Sequence, residues 1–143
     1  DLRMLGMRDK TLEFEDIDEF ADRIGAIIDE VKPTLIVTHY PGYAVHPDHN
    51  ATGAAVIRAV SRLPEEKRPP VRCHAFSANT KEDLGEPDVV TDVRDVLDRK
   101  IAALKAHGSQ TQLLVSKLSE DEPEKDEELV QWLGYERFWT YPV

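Results

Sequence analysis

Residues 34–53 read Thr34-Leu35-Ile36-Val37-Thr38-His39-Tyr40-Pro41-Gly42-Tyr43-Ala44-Val45-His46-Pro47-Asp48-His49-Asn50-Ala51-Thr52-Gly53, and this stretch decides the fold. Thr34 to Thr38 is a continuous, mostly β-branched run, the pattern of a strand covered on both faces. Pro41 and Gly42 mark a loop. Pro47 suits the first position of a helix, where its missing N–H is no loss. From there to Leu63 the chain reads helical, with Ala51, Ala54, Ala55, Ile57 and Val60 able to pack closely, and Pro64, Pro69 and Pro70 close the element.

Working outward, the same alternation repeats on both sides. Ile17, Phe20, Ala21, Ile24, Ile27, Ile28 and Val31 form one helical face, with Asp16 as cap and Pro33 as stop. Before it, Leu2 to Met7 reads as a short strand running into the loop Arg8-Asp9-Lys10. Val71 to Ser77 and Val89-Val90 read as strands, and Val93 to Leu104 as a helix with Gly108 placed to end it. Leu129 to Leu133 is a short helix stopped by Gly134, and Tyr135 to Tyr141 an aromatic strand. This order predicts an α/β fold: a Rossmann-like, mostly parallel sheet with flanking helices. Ligands of such sheets lie beyond the carboxyl ends of the strands. No repeat or linker divides the chain, so residues 1–143 read as a single domain.

The chain has 143 residues, 18 basic and 28 acidic, for a net charge of −10. Glu120 to Glu128 alone holds seven acids and one lysine. Residues 111–126 are therefore expected to be a mobile acidic loop. The balance argues against nucleic acid and against an anionic membrane surface, both of which need clustered Lys and Arg. No run approaches the roughly 18 apolar residues of a membrane span. The single Cys73 cannot form an internal disulfide, which fits a reducing cytoplasm, and it reads as a small buried hydrophobe. Oligomeric state stays open.

Three of five histidines, His39, His46 and His49, fall directly after the buried strand, where an α/β enzyme keeps its site. Neutral imidazole is a common zinc ligand, and a nearby carboxylate such as Asp48 can fix its tautomer. Surface histidines capping a helix are the plainer alternative for an H-x-x-H pair. A catalytic zinc needs three protein ligands and an open position, and no second cluster of comparable quality stands beside a strand end. A metal-dependent phosphoesterase is disfavoured, because Arg8 and Arg58 are too few for a phosphate clamp.

Val45-His46-Pro47-Asp48-His49-Asn50-Ala51-Thr52-Gly53 resembles the second signature of the LmbE-like (PIG-L) zinc deacetylases. Leu5-Gly6-Met7-Arg8-Asp9 resembles the family's strand and polar loop before its first long helix. Lys100-Ile101-Ala102-Ala103-Leu104-Lys105-Ala106-His107-Gly108-Ser109-Gln110 is similar to its K-x-x-A-L-x-x-H-x-S-Q helix end, and Glu136-Arg137-Phe138 to its terminal E-x-F strand. These islands span nearly the whole chain in the family's order. Within the family, Tyr40-Pro41-Gly42-Tyr43-Ala44-Val45 resembles the bacillithiol-pathway deacetylases of Firmicutes, the auxiliary paralogue above all. Those enzymes remove acetyl from N-acetylglucosaminyl-malate.

The resemblance implies that His49 is a zinc ligand and that His46, as imidazolium, stabilises the oxyanion of the tetrahedral intermediate. Asp48 would hold His46 in that charged form, since a carboxylate raises the pKa of a neighbouring histidine. Asp9, Arg8 and Tyr43 are candidates for binding the small N-acetylated amino-sugar substrate. His107 and His74 read as structural. The family also carries a strand followed by His-Pro-Asp-Asp, which these 143 residues lack. That segment would supply two zinc ligands and the general base. The expectation is therefore a C-terminal portion of a larger LmbE-like domain, incomplete for catalysis alone and partnered by the N-terminal segment. The alternative is a non-catalytic interaction domain without a complete metal site.

Overall fold

Asp16 caps the first long helix of the computed structural model, which describes residues 1–108 and 127–143, apart from the side chains of Glu128 and Leu129. The loop expected at 111–126 lies outside these described residues. The Asp16 carboxylate accepts from the N–H of Asp18 at 2.8 Å and of Glu19 at 3.0 Å, satisfying two of the donors that open α1 (Ile17–Val31). Lys32 closes the helix in a left-handed conformation, its N–H donating to Ile28 O at 2.7 Å.

The remaining elements are β1 (Ile36–His39), α2 (Pro47–Ser61), β2 (Val71–His74), α3 (Thr80–Leu84), β3 (Val89–Asp92), α4 (Leu97–Ala106), α5 (Glu127–Leu133) and β4 (Tyr135–Tyr141). The four strands form one sheet in the order β1-β2-β4-β3. β1 runs parallel to β2, in register from Ile36↔Val71 to His39↔His74. β4 joins β2 antiparallel, from Val71↔Tyr141 to Cys73↔Trp139. The α/β class expected from the sequence is what the chain adopts, with the aromatic strand turning the sheet mixed.

The described residues divide into two compact units. The first comprises residues 1–89 and 138–143. Its core sets Ala21 and Ile28 of α1 against Val56, Ala59 and Val60 of α2 and Val71 and Cys73 of β2. Outside this seam, Asp18 accepts from Arg58 Nε at 2.9 Å and from Arg62 at 2.5 Å, with Asp22 2.6 Å from Arg62. These pairs are exposed and contribute little beside the apolar burial. The second unit comprises residues 90–137. Leu97 and Ile101 of α4 pack with Leu133 of α5. Lys100 ties this unit further, donating to Leu133 O at 2.8 Å and pairing with Glu136 at 2.6 Å. Two of the resembling sequence islands thus meet in one ion pair.

Two local expectations change. Leu2 to Met7 forms no strand; Leu2 and Met4 are 85% and 84% exposed, and the segment is held instead by Arg3 on Glu30 and by Arg23 on Leu5 O. A strand needs a neighbour for its backbone groups, and none of the described strands lies beside it. β1 is also not covered on both faces. It lies at the sheet edge and Val37 is 52% exposed. Among the described residues no helix is long and apolar enough to cross a membrane.

Two tests follow from this packing. Asp16→Ala should lower stability to urea by about 1 kcal/mol, and an unchanged midpoint would show that the cap is idle. Cys73 is fully buried, and burial pushes its thiol up to about 12. It should stay unreactive toward a disulfide reagent at pH 8 in the native protein and react fully in denaturant. Rapid native labelling would contradict the burial.

Candidate active site

The site begins with a strained turn. Val45 has φ 58°, and across it the His46 N–H donates to Ala44 O at 2.5 Å, a γ-turn that a β-branched residue adopts at a cost on the order of 1–3 kcal/mol. The surroundings hold it there. Asn50 Oδ1 accepts from Gly42 N at 2.9 Å and Ala44 N at 3.0 Å, while Tyr43 O accepts from Phe76 N at 2.7 Å and Ser77 N at 3.0 Å. His46 then becomes the N-cap of α2, with Pro47 at the helix start. Its Nδ1 accepts from the Asp48 N–H at 3.2 Å, so the neutral ring carries its proton on Nε2.

Asp48 is buried, and both its oxygens are engaged. Oδ2 accepts from Lys10 N at 2.6 Å and Oδ1 from Leu12 N at 3.1 Å. The sequence reading has this carboxylate hold His46 in its charged form, but both of its described hydrogen bonds go to the Lys10 and Leu12 amides instead. In the described hydrogen bonding, the link between the two runs from the Asp48 backbone to the His46 ring. The carboxylate fastens the loop bearing Arg8 and Asp9 to the start of α2. Arg8 and Asp9 themselves are exposed.

His49 lies one helical turn further along, exposed, its ring 5.2 Å from that of His46 at 44°. On its other side it stacks on His39, with centroids 4.2 Å apart and planes 3° from parallel. His39 ends β1 opposite His74, whose ring packs against Phe76 and Phe138 at 5.5 and 4.3 Å. Burial, with His49 and His74 nearby, lowers the His39 pKa. Its Nδ1 is buried without a hydrogen-bond partner. The crossing of α2 over the strand end is tight at Gly53, where a Cβ would lie 2.2 Å from His39 O.

As a zinc donor, the His49 imidazole has the right chemistry for one ligand. Among the described residues, no group of three or more His, Cys, Asp or Glu could hold a metal ion. His39 does not extend the set. A ligand nitrogen directs its lone pair within the ring plane, and two nearly parallel planes do not converge on one ion. His49 therefore fits as one member of a larger set.

The other expected residues are distributed around this corner. Tyr43 is half-buried, its hydroxyl donating to Asp83 at 3.2 Å and its ring edge-on to Tyr40 at 5.4 Å. Arg58 is committed to Asp18, away from any phosphate role. His107 is the exposed C-cap of α4. A groove of about 520 Å³ between Leu12, Phe20, Pro41, Pro47 and Ala54 opens on a neighbouring face of α2, and the histidines do not line it. Sequence reasoning missed the roles of His39 and Gly53, although both stood in the decisive stretch, and it missed the Lys10 and Leu12 amides entirely.

An α/β fold presenting two histidines from a helix start, just past the end of a parallel strand, has the arrangement of a strand-end ligand site. The family model described as PIG-L, GlcNAc-PI de-N-acetylase, matches residues 1–60. A Bacillus cereus protein named probable N-acetyl-alpha-D-glucosaminyl L-malate deacetylase 2 is 53% identical over 141 residues, covering 99% of this chain and 64% of the relative. Its Bacillus subtilis counterpart is 52% identical with the same coverage. A Mycolicibacterium smegmatis protein named 1D-myo-inositol 2-acetamido-2-deoxy-alpha-D-glucopyranoside deacetylase is 32% identical, covering 66% of this chain and 43% of the relative. Residues 1–60 thus match the PIG-L, or LmbE-like, family, and nearly the whole chain is similar to relatives named as deacetylases. The chain spans about 64% of the length of the two Bacillus relatives.

Asp48→Asn replaces one accepting oxygen by a donor and leaves a part-buried N–H of Lys10 or Leu12 without its acceptor. The cost should be about 1–3 kcal/mol, with faster hydrogen exchange at those two amides. Unchanged exchange there would remove Asp48 as the anchor of the loop.

Proposed function

We propose that this chain is part of a zinc-dependent N-deacetylase acting on an N-acetylglucosaminyl substrate, with N-acetylglucosaminyl-malate the substrate favoured by the names of the Bacillus relatives. The observation that carries the reading is the pair His46 and His49, presented 5.2 Å apart from one fixed helix start. Such spacing lets one imidazole hold a metal while the other faces the bound amide.

In this reading His49 is one zinc ligand, and the family resemblance assigns two more, with the general base, to the His-Pro-Asp-Asp segment. Zinc, when bound, would supply a Lewis acid for the acetyl carbonyl and for water. His46 holds its Nε2 proton toward the carbonyl oxygen, where negative charge develops as the tetrahedral intermediate forms. Backbone capping through Nδ1 fixes the direction of that donor before substrate arrives, which is what oxyanion stabilisation requires. Asp48 contributes by placing the Arg8–Asp9 loop, whose side chains offer a cation and an acceptor for the sugar or malate groups. Tyr43 borders the same corner.

The test separates ligation from oxyanion stabilisation in the full-length protein. His49→Ala should lose most of its zinc by atomic absorption. His46→Ala should keep the metal and lose about 10²–10³-fold in acetate release. Residues 1–143 alone should bind zinc weakly and release no acetate. A reversal of the two histidine phenotypes would overturn the assignment. A full-length protein with neither zinc nor turnover would favour the interaction-domain alternative.

A further inference from the structure

We infer that His39 is a positioning residue for His49, acting through the flat face of its ring, and that Gly53 is the residue that lets the two rings meet. The consequence for metal rests on the reading of His49 as a ligand; the placement of the ring does not.

Three observations converge. The rings lie 3° from parallel with centroids 4.2 Å apart, so His39 offers a plate rather than a hydrogen bond. The His39 Nδ1 is buried and has no partner among the described residues, so no hydrogen bond from this nitrogen to them orients the ring. The third observation is the approach that creates the contact. A Cβ on Gly53 would lie 2.2 Å from His39 O and 3.1 Å from His39 C. That carbonyl belongs to backbone, and it cannot swing aside. His39 is held in register with His74, and the next residue, Tyr40, donates to His74 O at 2.7 Å. Gly53 follows His49 by one helical turn, so the same approach that needs glycine brings the His49 ring onto His39.

The function of the plate follows from the exposure of His49. A solvent-facing imidazole on the first turn of a helix samples several rotamers, and each binding event must then fix one. A flat neighbour on one side and His46 on the other restrict it in advance. Outer partners that orient a ligand typically alter metal affinity by about 10–100-fold.

The experiment follows the His49 ring protons by NMR in the full-length protein, beside titration with zinc chloride alone. His39→Ala should abolish the ring-current shift of His49, average its side-chain couplings, and weaken zinc about 10-fold. His39→Phe, which keeps the plate and removes the unpaired nitrogen, should retain the shift, a single rotamer and zinc affinity within about twofold. His39→Gln should behave as the alanine variant. Gly53→Ala should displace His49 even with His39 intact. Retention of the stack signature by His39→Gln, or its loss in His39→Phe, would overturn the inference by showing that polarity is what matters. An unchanged His49 in His39→Ala would overturn it outright. If the wild-type protein shows the stack and its loss on His39→Ala, yet binds no zinc, the positioning stands and the deacetylase reading falls.

Discussion

A helix can pass over the end of a strand at backbone contact only where the helix residue facing the strand carries no Cβ. Gly53 meets that requirement against the carbonyl of His39, where a methyl group would sit at 2.2 Å. Packed interiors do not absorb such overlaps by small adjustments. The rest of the first unit is arranged around this crossing. It fixes the height of α2 above β1, and so the level at which His46 and His49 emerge. It also sets Val56, Ala59 and Val60, further along the helix, over Val71 and Cys73.

The start of α2 is constrained from the opposite direction. Val45 is held at φ 58°, a conformation that would relax in an isolated loop. Asn50 counters it by gathering Gly42 and Ala44 onto one oxygen, and Tyr43 O gathers two amides from the segment after β2. Asp48 draws in the loop at residues 10–12. The result is a corner with its polar groups largely consumed by backbone, leaving the His46 Nε2–H and the His49 ring nitrogens outside the described hydrogen bonding. Preorganised donors of this kind are what acyl-transfer sites use to meet developing charge.

The sequence makes some of this legible and hides the rest for physical reasons. α1 is visible because its apolar residues recur with helical period between a capping Asp16 and Pro33. The entry to α2 is visible because Pro47 tolerates one helix position better than any other. These are local properties. The failed strand at Leu2–Met7 shows the limit: composition favours extension, but pairing depends on a neighbour that composition does not contain. The antiparallel arrival of β4 is hidden for a similar reason, since the direction of a strand depends on its whole connection. At the site, the H-x-x-H pair is plain from spacing. The Asp48 carboxylate reaches amides 36 and 38 residues away, and no spacing rule anticipates that contact. His39 and His49 belong to two separate periodic patterns, and only the crossing at Gly53 makes them neighbours.

In the proposed reading, His49 meets the metal while its stacked neighbour His39 does not. Anomalous scattering at the zinc edge from crystals of the full-length protein tests it most directly. The account expects a single peak about 2.0–2.1 Å from a ring nitrogen of His49, with the His39 plane still parallel to that ring and its nitrogens outside the coordination sphere. A peak bound to His39, or one distant from His49, would contradict it.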